Sequence, residues 1–323
     1  MLKTHLFIVT ALCATASMSF AQDMERYAEL TKEAQILYEK KDYGKAGQKF
    51  SEAFIVLGNK GTIQDRYKAA SAWALANRPD SAFVNLFKIV ESGYYTNTSE
   101  LLSDSTFTSL RTDNRWKTLT DTLSGAEAKL DKSLIATLDT IFHEDQQYRQ
   151  QLGEIEKKYG RDSEELKAHW KIIEEKDSIN LTKVRTILNE RGWLGKDIVG
   201  PQGNQTLFLV IQHADLEIQQ QYLPMMREAA EKGDANGADL ALLEDRVALR
   251  MGKKQIYGSQ IGRDLETGEF YVMPLDDPDH VDERRAAVGL GKLQGYLSNW
   301  GLKWDVEAYK KKLPDIEAKL ENK

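Results

Sequence analysis

The sequence predicts a mainly α protein: helical hairpins in the first third, then a helical domain carrying one small β-hairpin. Three observations predict it. Apolar residues recur at steps of three and four along most of the chain, the spacing of a helix with one buried stripe. Glycine and proline are sparse, 22 and 6 among 323 residues, while charged residues reach 29%, a balance that favours amphipathic helices. Only around 255–273 do short runs flanked by glycine read as paired strands.

The chain opens with Lys3, an apolar run from Leu6 to Ala14, and Ser19-Phe20-Ala21, which reads as a secretory signal peptide over residues 1–21, cleaved before Gln22. The protein is therefore expected to be exported, either periplasmic or secreted. The single cysteine, Cys13, lies inside this leader, and Leu12 before it is not the small residue of a lipid-attachment signal. Without a thiol, the exported part can form no disulfide, thiolate metal site or cysteine nucleophile. Taking Lys3 from the net charge of −6 leaves −7. That acidic balance repels nucleic acid and anionic lipid, so neither is expected as a partner. After the leader nothing approaches the roughly 20 apolar residues that span a bilayer, so no membrane insertion is expected. About 300 exported residues suggest two domains.

Residues 22–123 form the first. Leu30, Ala34, Leu37, Tyr43, Ala46, Phe50 and Ala53 alternate large and small packing residues across one helix pair, and Ala69, Ala70, Trp73, Ala82, Leu86 and Ile89 repeat the register. Small alanines let two helices approach closely while Phe50 and Leu86 fill the groove. Ala46 and Ala82 are 36 residues apart, against a repeat of about 34, and the loop Gly58-Asn59-Lys60-Gly61 absorbs the excess. The pattern resembles a pair of tetratricopeptide repeats, with Glu33 departing from a usually apolar position. The resemblance implies helical-hairpin stacking and a possible docking face for a protein or peptide partner. Leu101, Leu102, Phe107, Leu110 and Trp116 are expected to cap the stack.

A linker is expected at Ser124-Gly125-Ala126-Glu127. Beyond it, Leu134, Leu138, Ile141, Phe142, Tyr148 and Leu152 predict one helix reaching Tyr159. Asp162 and Glu165 form a capping-box start for a second helix ending at Gly192, with a break near Asp177-Ser178. Asp145 and Arg149, one turn apart, read as an exposed ion pair worth a few tenths of a kcal/mol.

The main domain, residues 133–305, is followed by a helical tail over 306–323. Within it Leu207 to Ile211 is wholly apolar and delivers Gln212-His213-Ala214-Asp215 to the end of a helix. Asp215 is placed to cap the next helix. Glu244-Asp245-Arg246 interrupts the apolar run Leu240 to Leu249. At 100° per residue, Asp239, Arg246, Arg250 and Lys253 share the wet side and Glu244 and Asp245 the opposite one. Two carboxylates facing a core need cations or donors, and His213, Arg284 and Arg285 are the candidates. Gln255 to Gln260 reads as a strand with Gln255, Tyr257 and Ser259 on one face, returning through Thr267-Gly268 to Phe270–Met273. Trp300 and Trp304 read as packing residues, and Lys310-Lys311-Lys312 as a solvated run.

Gly192-Trp193, Val199-Gly200, Gln212-His213-Ala214-Asp215, Asp245-Arg246, Gly252, Gln255, Tyr257-Gly258, Gln260, Pro274, Asp277-Pro278, Arg284-Arg285 and Gly289-Leu290 follow one another. In this order they resemble an uncharacterised bacterial domain of unknown function, found in exported proteins, over roughly 133 to 300. The resemblance implies a shared helical fold and polar cluster but no activity or cofactor.

Residues two apart on a helix point about 200° apart, so His213 and Asp215 do not chelate together, and His143, His169 and His280 add no matching spacing. No metal and no cofactor are expected. The sequence has no phosphate loop, nucleophile elbow or His-Glu-x-x-His. The expected function is an exported cell-envelope binding or interaction protein whose polar pocket uses His213, Asp215, Asp245, Arg246, Gln255, Tyr257 and Gln260. The alternatives are a hydrolase of envelope glycans or peptides with Asp245 as acid or base and His213 as proton carrier, and a purely structural network.

Overall fold

The computed structural model describes residues 9–321 except 94, 96, 265 and 266, with only the backbone given for 9–22 and 319–321. The leader expected over 1–21 thus lies outside the described residues as far as residue 8, and outside the described side chains beyond it. The protein is mainly α with one small antiparallel hairpin. The chain divides into two compact units at Leu130 and Asp131. Among the described residues no helix is long and apolar enough to cross a membrane.

The first unit is two helical hairpins and a cap. Helices α1 (Val9–Glu39) and α2 (Tyr43–Val56) form the first hairpin, and α3 (Ile63–Leu75) and α4 (Pro79–Glu91) the second. Tight turns need left-handed backbone, supplied by Lys41 and Asn77 at φ 62° and 59°. The Thr62 hydroxyl accepts from the Asp65 amide to start α3, and Pro79 fits the first turn of α4. Ala34, Ala46, Ala53, Ala69, Ala70 and Ala82 are fully buried, as the alternation of large and small residues requires. Trp73 lies over Gly47 so closely that a Cβ there would sit 2.6 Å from its ring. Glu33 faces outward to Lys49 at 3.3 Å. The cap comprises α5 (Thr98–Ser103), a 3₁₀ turn over Ser105–Leu110 and α6 (Asn114–Glu127). It buries Leu101, Phe107, Leu110 and Trp116, while Leu102 turns outward. The expected linker 124–127 is the last turn of α6.

The second unit begins with α7 (Lys132–Arg149), α8 (Leu152–Tyr159) and α9 (Glu164–Arg191). The single helix expected through Tyr159 breaks at Gln150-Gln151. There the Tyr148 carbonyl accepts from the His169 ring at 2.7 Å and from the Gln151 amide at 3.2 Å, a tighter turn than the α ladder. Ser163, one residue after the expected cap, starts α9 by accepting from the Leu166 amide. The break expected at Asp177-Ser178 does not occur, because the Asp177 side chain turns to Arg149 on α7 and caps nothing. Gly192, at φ 71°, ends α9.

Helix α10 (Lys196–His213) is kinked at Gly200-Pro201, and α11 (Leu216–Lys232) follows after Asp215 accepts from the Ile218 amide. With α12 (Gly237–Arg250) these helices bury Leu138, Ile141, Val184, Leu188, Leu207, Ile211, Tyr222, Leu243 and Val247. The strands are shorter and later than expected. β1 (Ile261–Arg263) pairs with β2 (Phe270–Val272), Ile261 opposite Val272. Gln255 makes only an isolated parallel bridge with Leu275, and 256–260 form a loop, because the amides of Ile256, Tyr257 and Ser259 bond the Asp245 carboxylate and that of Gln260 bonds the Gln255 side chain in place of a partner strand.

Helices α13 (Val281–Ala287), α14 (Leu293–Leu297) and α15 (Val306–Glu321) complete the unit around a smaller core of Val272, Leu275, Val281, Leu293, Leu297 and Tyr309. The Tyr309 hydroxyl accepts from the Leu275 amide at 2.7 Å and donates to the Met273 carbonyl at 3.0 Å. These bonds join the segment expected as a tail to the body of the unit. Trp300 packs against Tyr296 and Trp304 against Tyr309. Lys311 and Lys312 are exposed, as the solvated run expected there requires, and Lys310 makes surface ion pairs with Asp279 and Glu307.

Candidate functional site

Apart from Asp215, which caps α11, the polar residues singled out by sequence fall into two networks. The first surrounds Asp245. This residue lies on the core side of α12 and is fully buried. Its carboxylate accepts from the amides of Ile256 at 2.6 Å, Tyr257 at 2.9 Å and Ser259 at 2.9 Å. Burial pushes its carboxyl up, while the three amides act in the opposite direction. Gln255, also fully buried, closes the same loop. Its amide nitrogen donates to the carbonyls of Gln260 and Met273, and its oxygen accepts from the Gln260 amide. Gly258 at φ 70° allows the turn beside Leu293.

Neither expected arginine reaches the acid. Arg285 is buried, donating to the Gly291 and Tyr257 carbonyls, and Arg284 serves the carbonyls of Ile256, Asp276 and Asp277. Glu244 does not face the core with Asp245. It accepts from Arg227 at 2.7 Å and from the Tyr257 hydroxyl at 3.4 Å. The first network therefore holds the 255–260 loop against α12 and leaves Asp245 no surface for a ligand.

The second network surrounds His213, at the end of α10. Its partner is Asp145 on α7, so the residue expected to be an exposed ion-pair member is 1% exposed and bound at Oδ1 by His213 Nδ1 at 2.9 Å. Gln146 donates to the other oxygen at 2.7 Å. Arg149 donates to the Asp145 carbonyl at 2.8 Å and to Asp177 Oδ2 on α9 at 2.7 Å. Burial would raise the Asp145 carboxyl, but the bond and charge of His213 and the charge of Arg149 outweigh it and hold the group below the usual range. The His213 side chain stays 19% exposed.

Arg246 links the two networks, from Nε to Gln260 Oε1 at 3.3 Å and from Nη1 to the Gln212 carbonyl at 3.0 Å. Arg250 donates to the Ala214 carbonyl at 2.9 Å. These bonds satisfy the open end of α10. The expected wet side of α12 is thus partly covered, since Asp239 and Arg246 are not exposed. Burial, then the charge of Arg250, lowers the Arg246 guanidinium, and among the described residues no carboxylate pairs with it.

Several buried polar atoms of this region have no partner among the described residues: Asp177 Oδ1, both amide atoms of Asn180, Gln212 Oε1 and Gln219 Oε1. Leaving such atoms unpaired costs about 1 to 3 kcal/mol each, so the set is expensive unless something meets it. Sequence reasoning missed Asp145, Arg149, Asp177 and Asn180. The signal was present: Leu138, Ile141 and Asp145, like Ile173, Asp177, Asn180 and Val184, continue an apolar stripe at three- and four-residue steps.

The fold and site define a class of protein: a helical domain with a buried acid, histidine and arginine cluster, preceded by helical hairpins. The chain belongs to the family of unknown function DUF6624, whose pattern matches residues 130–309. No curated protein and no solved structure matches it.

Proposed function

We propose that the protein is an exported cell-envelope binding protein whose second unit holds a small polar ligand or peptide beside His213, Arg246 and Gln260. The first unit, read as a tetratricopeptide pair, docks a protein or peptide partner. One observation carries the ligand reading: a partly exposed imidazole, fixed from behind by a buried acid, stands in a region where other buried polar atoms lack partners. Groups held this way are pre-organised, so binding orders little that is not already ordered. In this reading Asp245, Gln255 and Tyr257 hold the 255–260 loop, and Asp215 caps α11.

The test is the ring spectrum of His213 during titration with chitin-type oligosaccharides and short peptides. Binding should move the His213 signals and vanish in His213→Gln at unchanged melting temperature; no response to any fragment overturns the reading. Export is checked by N-terminal sequencing of the exported product, expected to start at Gln22.

A second reading, hydrolysis of envelope glycans or peptides, is favoured by the pairing of His213 with Asp145. A carboxylate at Nδ1 fixes the tautomer and leaves Nε2 to take up a proton, the arrangement of a general base. Asp145 then replaces Asp245 as the acidic partner. Turnover of any fragment, abolished in His213→Gln, selects this reading over simple binding.

A further inference from the structure

We infer that the second unit binds one divalent transition-metal ion between α7, α9 and α10, with Asp145 Oδ1, Asp177 Oδ1 and His213 Nδ1 as ligands, the ion taking the place of the proton shared by His213 Nδ1 and Asp145 Oδ1 in the metal-free protein. This deepens the His213 reading above and rests on it only for the location of the site.

The geometry points to a cation in four ways. A ligand atom from each of the three residues lies within 4.8 Å of the others. Two donors about 2.1 Å from one ion and at right angles to each other stand about 3 Å apart, and the Oδ1 to Nδ1 distance is 2.9 Å. The remaining carboxylate oxygens are occupied from outside, Asp145 Oδ2 by Gln146 at 2.7 Å and Asp177 Oδ2 by Arg149 at 2.7 Å. Such bonds orient ligands around an ion. Asp177 Oδ1 is buried without a partner, and so is the whole carboxamide of Asn180, which is 0% exposed and three residues further along the same face of α9.

Arg149 is the competing cation. It approaches Asp145 Oδ1 only at 3.4 Å, beyond a good hydrogen bond, and makes its short contacts to the Asp145 carbonyl and to Asp177 Oδ2. It therefore sits beside the three donor atoms and balances part of the acidic charge. Two carboxylates and an imidazole suit manganese, iron or zinc better than calcium or magnesium, which take oxygen alone.

The experiment uses the full chain, stripped with a chelator and dialysed against Zn²⁺, Mn²⁺, Ca²⁺ or Mg²⁺, read by elemental analysis, calorimetry and melting temperature. One equivalent of Zn²⁺ or Mn²⁺ per chain is expected, with a raised melting temperature. Asp177→Asn, which keeps the side chain's size and can keep an oxygen toward Arg149, and His213→Gln should each weaken binding at least about tenfold, and Gln146→Ala by about ten- to a hundredfold. Three outcomes overturn the inference: no stoichiometric Zn²⁺ or Mn²⁺, equal affinity in Asp177→Asn, or calcium and magnesium held as tightly. No stoichiometric metal together with a His213 ring that still answers oligosaccharides or peptides would sink the metal and keep the ligand reading; metal binding with no such answer would do the reverse.

Discussion

His213 Nδ1 and Asp145 Oδ1 lie 2.9 Å apart although 68 residues separate them in the chain. The same histidine makes no bond to Asp245, which is fully enclosed by amides of its own neighbourhood. The unit thus separates two tasks. One buried acid holds a loop and the other holds a ring.

Asp245→Ala is expected to destabilise the protein by about 3 kcal/mol or more, since it leaves three amides without their acceptor. Urea unfolding measures this. A loss below about 1 kcal/mol would mean that the loop does not depend on the acid.

Asp239 gives a pH signature. Burial raises its carboxyl to about 6, well above the usual carboxylate range. A raised acid favours the folded state below its unfolded value, and that contribution disappears as pH rises from about 4 through about 6. Asp239→Asn should therefore stabilise the protein at pH 8, by up to about 3 kcal/mol, and change little at pH 4. Thermal melts at both pH values decide it, and an equal effect at each contradicts the assignment.

Gly47→Ala tests the packing of α2 against α3. The new methyl would meet the Trp73 ring at 2.6 Å, so a loss of about 1 to 3 kcal/mol is expected from differential scanning calorimetry. A neutral substitution would show that the indole shifts freely.

Tyr309→Phe removes a hydroxyl that bonds two backbone groups of the hairpin exit. It should cost about 1 to 3 kcal/mol and speed amide exchange at Leu275. Unchanged exchange there would separate α15 from the hairpin.

The helices were legible because their apolar stripes, caps and glycine stops are local. Ala46 and Ala82 announced their burial by size and spacing, and Asp215 its cap by position. What was hidden depended on partners distant in sequence. Asp145 and Arg149 look like an exposed pair at a spacing of four, and only the neighbouring helices decide that the acid is covered and the guanidinium turned to Asp177. Gln255 to Gln260 alternates as a strand would. Asp245 takes the amides of Ile256, Tyr257 and Ser259, and no local pattern registers a side chain outcompeting a strand.

The most direct measurement is the ¹⁵N spectrum of the His213 ring in Asp145→Asn and in Glu244→Gln. If the imidazole is held from α7, the first substitution moves both ring nitrogen signals and the second leaves them in place. Signals that ignore Asp145→Asn and follow Glu244→Gln would return the histidine to the acids of α12 and dismantle the site described above.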